Sequence, residues 1–335
     1  MNLDGDEIDE IKSSGDSQLV RMVPSRSDAV SSGIFASFSL SGGKSIKALF
    51  NYLTEYDKFT FDFYQQGFQI DGVKLNTNGT IDTLSYMIYK ADRLIEYIFC
   101  PQNVPGYENN KSISVRVSSK NFYSFLKKTR ASTSIRVELN KTVGKLILYV
   151  INGGTCKPFY LDYEWCHSTP CPISGEIINP SLPPNHKTLI EVFCAEMSSQ
   201  STKYGEILYD FNIAIYSEGI FVWSDAPGPG GTAYGKTQGE YIQFQLSVEC
   251  AKRWQTLFRI SINATLSLYA INNEVLKLCM PISSAGEMYI FQYPKLTNPM
   301  MSSLTTQRGN MMNSNIIYPQ QQIIPLDNNF SYIPK

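Results

Sequence analysis

Residues Gly230-Gly231-Thr232-Ala233-Tyr234-Gly235-Lys236-Thr237 fit the pattern G-x-x-x-x-G-K-[ST] letter for letter. In a phosphate-binding loop that spacing has a physical reason. Backbone N–H groups and a helix N-terminus cradle phosphates, the Lys reaches the outer ones, and the Thr holds Mg²⁺. Such a loop leaves a buried parallel strand and opens a helix. Here Gln238-Gly239-Glu240-Tyr241-Ile242-Gln243-Phe244 alternates like a strand, while Pro227, Pro229 and five nearby glycines suit a long hairpin loop. A nucleotide-binding enzyme centred on Lys236 is therefore the last of three functional readings. Cys156, Cys166, His167 and Cys171 fall within sixteen residues, but only Cys166 and Cys171 approach the paired spacing of structural zinc sites. They are read as free thiols, with no metal and no cofactor expected. Adjacent residues such as Cys166 and His167 rarely present both side chains to one site, and His167 and His186 are the only histidines. Asp162 and Glu164 share one strand face and read as solvated charges. No catalytic residue is nominated and no enzyme is expected.

The elements that carry the remaining polar residues follow from periodicity. Residues 1–32 are polar and Ser/Asp-rich, an expected disordered arm. Residues 35–40 alternate as a strand, and 42–56 read as a helix with Ile46, Leu49, Phe50 and Leu53 on one face and Lys44 and Lys47 on the other. Strands are expected at 59–63, 68–73, 84–90, 94–100 and 113–117. Ser118 then suits the N-cap of a helix over 119–129, with Phe122, Phe125 and Leu126 inward and Lys120, Lys127 and Lys128 outward. Strands at 135–139, 146–151 and 159–165 complete a first domain, 33–165. Cys166 to Lys187 holds five prolines and reads as a connector. A second domain, 188–297, is expected to repeat the order. It has a strand at 189–195, a helix at 199–210 carrying Lys203, strands at 212–217, 220–223 and 241–246, and a helix at 248–258 carrying Lys252 and Arg253. Three closing strands follow, at 266–269, 275–280 and 288–293. Residues 298–335, rich in Met, Asn, Gln and Pro, read as a flexible tail. Gln320 to Pro325 there resembles the start of a short docking peptide but lacks the closing aromatic pair, and is rejected as one.

Internal repetition is the most informative property. Ser118-to-Arg130, then 135–139 and 146–150, matches Ser247-to-Arg259, then 266–269 and 275–279, at an offset near 129. Upstream, Phe61-Asp62-Phe63-Tyr64-x-x-Gly67-Phe68 matches Ile213-Ala214-Ile215-Tyr216-x-x-Gly219-Ile220. Composition adds bounds. The chain of 335 residues suits two domains, and its 21 Tyr and 18 Phe favour strands. Net charge is −1, so DNA binding would need segregated charge. No window approaches the roughly 18–20 apolar residues of a membrane span. The acidic N-terminus lacks a signal-peptide core, so an intracellular, soluble protein with seven free cysteines is expected. Five Asn-x-Ser/Thr sequons, at Asn78, Asn110, Asn140, Asn263 and Asn329, are read as chance.

This ordered pattern, over about 34–297, resembles the sliding clamps of the proliferating cell nuclear antigen family. Gly286-Glu287-Met288-Tyr289-Ile290-Phe291-Gln292-Tyr293-Pro294-Lys295-Leu296 looks like that family's closing segment, with Tyr293 in place of its usual Ala. Gly219-Ile220-Phe221-Val222-Trp223-Ser224 and the loop after it resemble its second-domain hairpin. The family's Met-Asp-x-(Ser/His) run is missing, with Gly72-Val73-Lys74-Leu75-Asn76 standing there, as in a divergent, viral member.

The resemblance implies an α+β chain of two tandem clamp domains, each with two helices packed on antiparallel sheets. Three such chains would close a ring around duplex DNA and tether a replicative polymerase and other clamp-binding peptides at replication sites. Lys44, Lys47, Lys120, Lys127, Lys128, Lys203, Lys252 and Arg253 would line the hole and face phosphates. The alternative, cations on the solvated sides of ordinary helices, stands beside it. The partner groove would use Ile177, Ile178, Leu182, Val275, Phe291, Tyr293 and Pro294, each also readable as core. The second functional reading is a clamp-like scaffold in viral transcription or assembly that closes no ring.

Overall fold

The computed structural model describes residues 33–104, 112–122, 125, 127–130, 133–153, 155–167, 171, 177–182, 186–203, 210–224, 231–260, 265–271, 274–283 and 285–294. The described residues belong to one compact unit. The expected N-terminal arm and tail, with Gln320–Pro325, lie outside the described residues.

The chain opens with β1 (Ile34–Leu40) and α1 (Gly43–Leu53). Helix α1 buries Ile46, Leu49, Phe50 and Leu53, the expected i, i+3, i+4, i+7 stripe. Its start requires glycine, because a Cβ on Gly43 would stand 1.7 Å from the Arg130 carbonyl oxygen. Then come β2 (Lys58–Tyr64), β3 (Gly67–Leu75), β4 (Ile81–Lys90), β5 (Tyr97–Phe99) and β6 (Ser112–Ser118). Three strands close the first half: β7 (Ser134–Asn140), β8 (Lys145–Asn152) and β9 (Thr155–Leu161). The helix expected over 119–129 is described only as a 3₁₀ turn at Ser119–Asn121 and helical backbone at 122 and 125; 123, 124 and 126 are outside the described residues. Phe122 and Phe125 are fully buried there, with Phe122 stacked 5.3 Å from Phe50.

The strand expected at 159–165 is divided between the end of β9 and a short strand, β10 (Tyr163–Trp165), on β6, and the connector contributes β11 (Ile177–Ile178). Next come α2 (His186–Lys203), β12 (Phe211–Ser224), β13 (Thr232–Leu246) and α3 (Val248–Phe258). Last are β14 (Ser267–Ile271), β15 (Val275–Pro281) and β16 (Gly286–Gln292). The strand expected at 189–195 is instead the first part of α2, and the helix expected at 199–210 begins earlier, at His186. The run Leu189-Ile190-Glu191-Val192-Phe193-Cys194 is apolar enough for a buried strand. Burial decides it: Ile190, Phe193 and Cys194 are buried at i, i+3, i+4, while Val192 is exposed. The strands expected at 212–217 and 220–223 are one strand, β12, and the one expected at 241–246 begins at Thr232.

Two layers repeat. In the first half one sheet runs β5-β1-β7-β8-β9. Its counterpart in the second half is the run β11-β14-β15-β16, with the same antiparallel neighbours. A helix follows β1 and another follows β11. The second layer of the first half is β10-β6-β2-β3-β4, and β4 joins β16 along seven residue pairs, so a nine-stranded sheet passes through both halves. In the second half this layer is only β12 on β13. Phe211–Tyr216 pair with Leu246–Tyr241 as β2 pairs with β6. After Tyr64 the chain turns back at Gly67 to form β3, whereas after Tyr216 it runs on through Gly219 in register with Gly235. Among the described residues no separate strands stand as counterparts of β3 and β4, and seven residues separate β12 from β13.

One apolar core fills the space between the layers and the helices. It is unusually aromatic: Phe38 stacks on Phe68 at 3.7 Å, and Trp254 of α3 meets Phe211 edge-on at 5.9 Å. Each fully buried ring of this kind contributes about 2–3 kcal/mol of apolar transfer.

Candidate functional site

Because strand residues alternate between faces, the nine-stranded sheet has a second face pointing away from the main core. Met87, Tyr89, Met288 and Ile290 join the main core. Leu84, Tyr86 and Phe291, one residue out of step with them, join Ile271 in a separate apolar cluster. Cys171, Val275, Tyr289 and Tyr293 pack against that cluster, partly buried. Tyr86 and Phe291 meet edge-on, centroids 5.9 Å apart. Lys277, paired with Phe291 across β15–β16, is buried at 6% exposure. Its Nζ lies 5.0 Å from the Tyr289 ring, 5.3 Å from Tyr269 and 5.8 Å from Phe291. A cation held over three rings is stabilised by their quadrupoles, which offsets part of its lost hydration.

Of the residues expected in a partner groove, Val275, Phe291 and Tyr293 gather in this patch, and Pro294 follows, half-buried. Leu182 packs against the main core instead. The backbones of Ile177 and Ile178 pair with Ile271 and Ala270, and their side chains are outside the described residues. Leu84, Tyr86, Ile271 and Lys277 were not anticipated. Only cross-strand register, which joins β4 to β16 some 200 residues later, brings them to the same patch.

The patch grades into buried acids. Asp71 lies opposite Tyr86 across β3–β4, and Asp62 opposite Gln69 across β2–β3. Asp62 is fully buried and Asp71 is 5% exposed. The Gln69 amide Nε2 lies 3.3 Å from Asp62 Oδ2. Burial, then the charge of Asp62 and a hydrogen bond with it, push the Asp71 carboxyl up to about 8. The two acids hold one proton between them at neutral pH. Because the folded value is raised, this group's stabilisation is complete below the unfolded carboxylate value near ~4. It is lost as pH rises to about 8. Asp71→Asn is expected to remove a slope of up to about 1.4 kcal/mol per pH unit across that window. Urea unfolding at a series of pH values reads it, and a slope equal to wild type would refute the shared proton.

The expected cations separate into three groups. Lys44, Lys47, Lys120, Lys127, Lys128 and Lys252 are exposed and make no ion pair among the described residues. Helix α1 carries two of them and no acid. Lys203 is on α2, its side chain outside the described residues. Arg253 corrects the expectation, since it is 5% exposed and turned inward. Its Nη2 donates to Asp82 Oδ2 and, at 3.2 Å, to Thr83 Oγ1. The Gln292 amide donates to the Asp82 carbonyl at 2.9 Å, and Thr83 Oγ1 donates to Gln292 Oε1 at 2.9 Å. This network fastens α3 to the β4–β16 junction. Position 253 follows Lys252 around the helix by 100°, which suffices to carry it from the solvent side to the core side.

The phosphate-loop reading fails on geometry. Thr232 to Thr237 belong to β13, and the exposed Lys236 Nζ pairs with Glu218 Oε2 of β12 at 2.7 Å. The chain after Thr237 continues as strand, so this segment opens no helix. Among the described residues no three His, Cys, Asp or Glu side chains group as metal ligands. Burial raises the Cys166 and Cys171 thiols to about 11, which keeps them protonated. No helix among the described residues is long and apolar enough to cross a membrane.

No protein-family model matches the chain, and no curated protein matches it. Solved structures do. The chain is similar to the PCNA2–PCNA3 complex from Sulfolobus tokodaii at TM-score 0.57 and 14% identity, covering 77% of this chain and 99% of that one. It is also similar to proliferating cellular nuclear antigen from Entamoeba histolytica at TM-score 0.57 and 10% identity, covering 78% and 100%. The repeated layers, the helices and this likeness together give the chain the α+β clamp fold of the proliferating cell nuclear antigen structures.

Proposed function

We propose that this chain is a DNA sliding clamp, a processivity factor that encircles duplex DNA and holds a replicative polymerase and other replication or repair proteins. The observation that carries the reading is the division of the clamp fold into two unlike surfaces. Exposed lysines with no ion pair among the described residues lie on and beside the helices, and the far face of the sheet carries a buried apolar cluster rimmed by the half-buried Val275, Tyr289 and Tyr293. A sliding contact needs diffuse cations facing phosphates, since tight bonds would stop movement. A tethered partner needs apolar anchors. The tether is topological, so no bond-making group is required of the chain.

In this reading 33–165 and 188–297 are the two clamp domains, joined by 166–187, and three copies make the ring at replication sites. The identity of 10–14% to the solved structures fits a divergent clamp such as a large DNA virus encodes. The test is retention on circular against linear DNA after loading. Salt-sensitive retention on circular but not on linear DNA is expected, and equal loss from both would sink the ring. Tyr293→Ala with Pro294→Ala is expected to weaken polymerase stimulation at least tenfold while leaving DNA retention within twofold. Equal losses would mean that these residues serve only the core.

One observation favours the second reading, a clamp-like scaffold that closes no ring: among the described residues the second half shows no separate counterparts of β3 and β4. Monomers at every concentration, binding neither DNA form, would support the scaffold.

A further inference from the structure

A net charge of −1 hides a segregation along the chain. Residues 1–16 hold six acids, Asp4, Asp6, Glu7, Asp9, Glu10 and Asp16, against one lysine, Lys12. The whole chain has 29 Lys and Arg and 30 Asp and Glu, so the remainder carries 28 against 24. That cationic excess is unevenly matched. Lys58 pairs with Glu164, Lys145 with Asp162 and Lys236 with Glu218. The exposed Lys44, Lys47, Lys127 and Lys128 have no such acid among the described residues.

These four lysines belong to one neighbourhood. The Phe50 ring of α1 meets Phe122 at 5.3 Å and Phe125 at 5.0 Å, and the Arg130 carbonyl stands over Gly43 at the helix start. The segment that carries Lys127, Lys128 and the exposed Arg130 therefore lies against the first turns of α1, which carry Lys44 and Lys47. Helix α1 contains no acid, and an empty first turn leaves the positive end of its dipole unmatched. Glu55 and Asp57 come only after its last turn, about 16 Å from its start.

We infer that residues 4–10 of the chain's own N-terminal arm dock on this cationic surface, in the place that DNA phosphates would take. The competition with DNA rests on the clamp reading, and the docking does not. Charge and reach name the occupant. The arm joins the fold at Gly33, whose carbonyl accepts from the Lys141 N–H at 3.0 Å. From there β1 runs seven residues, about 23 Å, to the turn that opens α1. As an open chain, the stretch from Glu10 to Gly33 has a mean span of roughly 26 Å. A tether whose mean span matches the gap holds its end near the site at an effective concentration in the mM range. Residues 17–32 carry only Arg21, Arg26 and Asp28 as charges, which suits a spacer. Duplex DNA presents a denser run, one charge per about 1.7 Å of axis, and displaces the arm once encircled. Brief contacts with DNA outside the ring are then disfavoured.

Carbodiimide coupling on the full chain joins carboxylates to amines that touch, and mass spectrometry then maps the amides. Links from residues 4–10 to Lys44, Lys47, Lys127 or Lys128 are expected at low salt. They should be lost at about 1 M salt, where the screening length falls to about 3 Å. A chain with Asp4→Asn, Asp6→Asn, Glu7→Gln, Asp9→Asn and Glu10→Gln together is expected to bind a short duplex at least threefold tighter at low salt, with no gain at high salt. No links to those four lysines, or links confined to Lys141 beside the arm's exit, would overturn the inference. An unchanged duplex affinity in the neutralised chain would overturn it too, and would leave DNA binding and the clamp reading standing. Links that form while neither chain holds the duplex would keep the docking and remove the clamp.

Discussion

Replacing Arg253 by Met is expected to destabilise the fold by about 3–5 kcal/mol, the usual cost of removing one partner from a buried ion pair. The guanidinium is 5% exposed and bonded to Asp82 and Thr83, and Asp82 also accepts from Gln292. Without the cation, the Asp82 carboxylate is left in the protein interior with hydroxyl and amide donors alone. Asp82→Leu in the same chain should recover part of the loss, because two apolar groups bury no unmatched charge. Urea denaturation of wild type, the two single variants and the double variant closes the cycle. A loss below about 1 kcal/mol for Arg253→Met, the range of exposed pairs, would show that the network adds little. DNA retention of the folded fraction should be unchanged, since this side chain is turned inward.

Reversing Lys120, Lys127 and Lys128 together to Glu is expected to lower retention on circular DNA at least tenfold. All three are exposed on one short segment of chain, with no ion pair among the described residues. Each lost phosphate contact releases fewer counterions, so the slope of log affinity against log salt should fall by about 0.9 per contact. The melting temperature should move little, because surface substitutions of this kind stay within about 0.5 kcal/mol. Unchanged retention and salt slope would remove this segment from any DNA surface. Lys44→Glu with Lys47→Glu on α1 makes an independent comparison in the same assay.

Legibility of the fold tracked the kind of signal each segment carries. Helix α1 was readable because its apolar stripe and its flanking glycines agree. The strands from β2 to β4 were readable because Phe59, Phe61 and Phe63 alternate with polar residues. The first part of α2 was read as a strand because a short, mostly apolar run such as 189–195 suits a buried strand as well as a buried helix. Arg253 was misplaced because Lys252 beside it is exposed, and neighbouring charges on a helix do not share a face. The phosphate-loop pattern was complete in letters, but its function depends on a helix that this segment does not form.

By itself the sequence determined the repetition, the sequence of most strands, and the exposed lysines, because these depend on local period and polarity. Three things were decided only by tertiary structure. The β4–β16 pairing assembles the apolar patch from residues about 200 positions apart. The inward turn of Arg253 depends on an acid in the other half. The lack of separate counterparts to β3 and β4 among the described residues was masked by the match between Gly67 and Gly219. The same residue ends a strand in one half and continues one in the other, because the partner strand, not the glycine, sets its backbone.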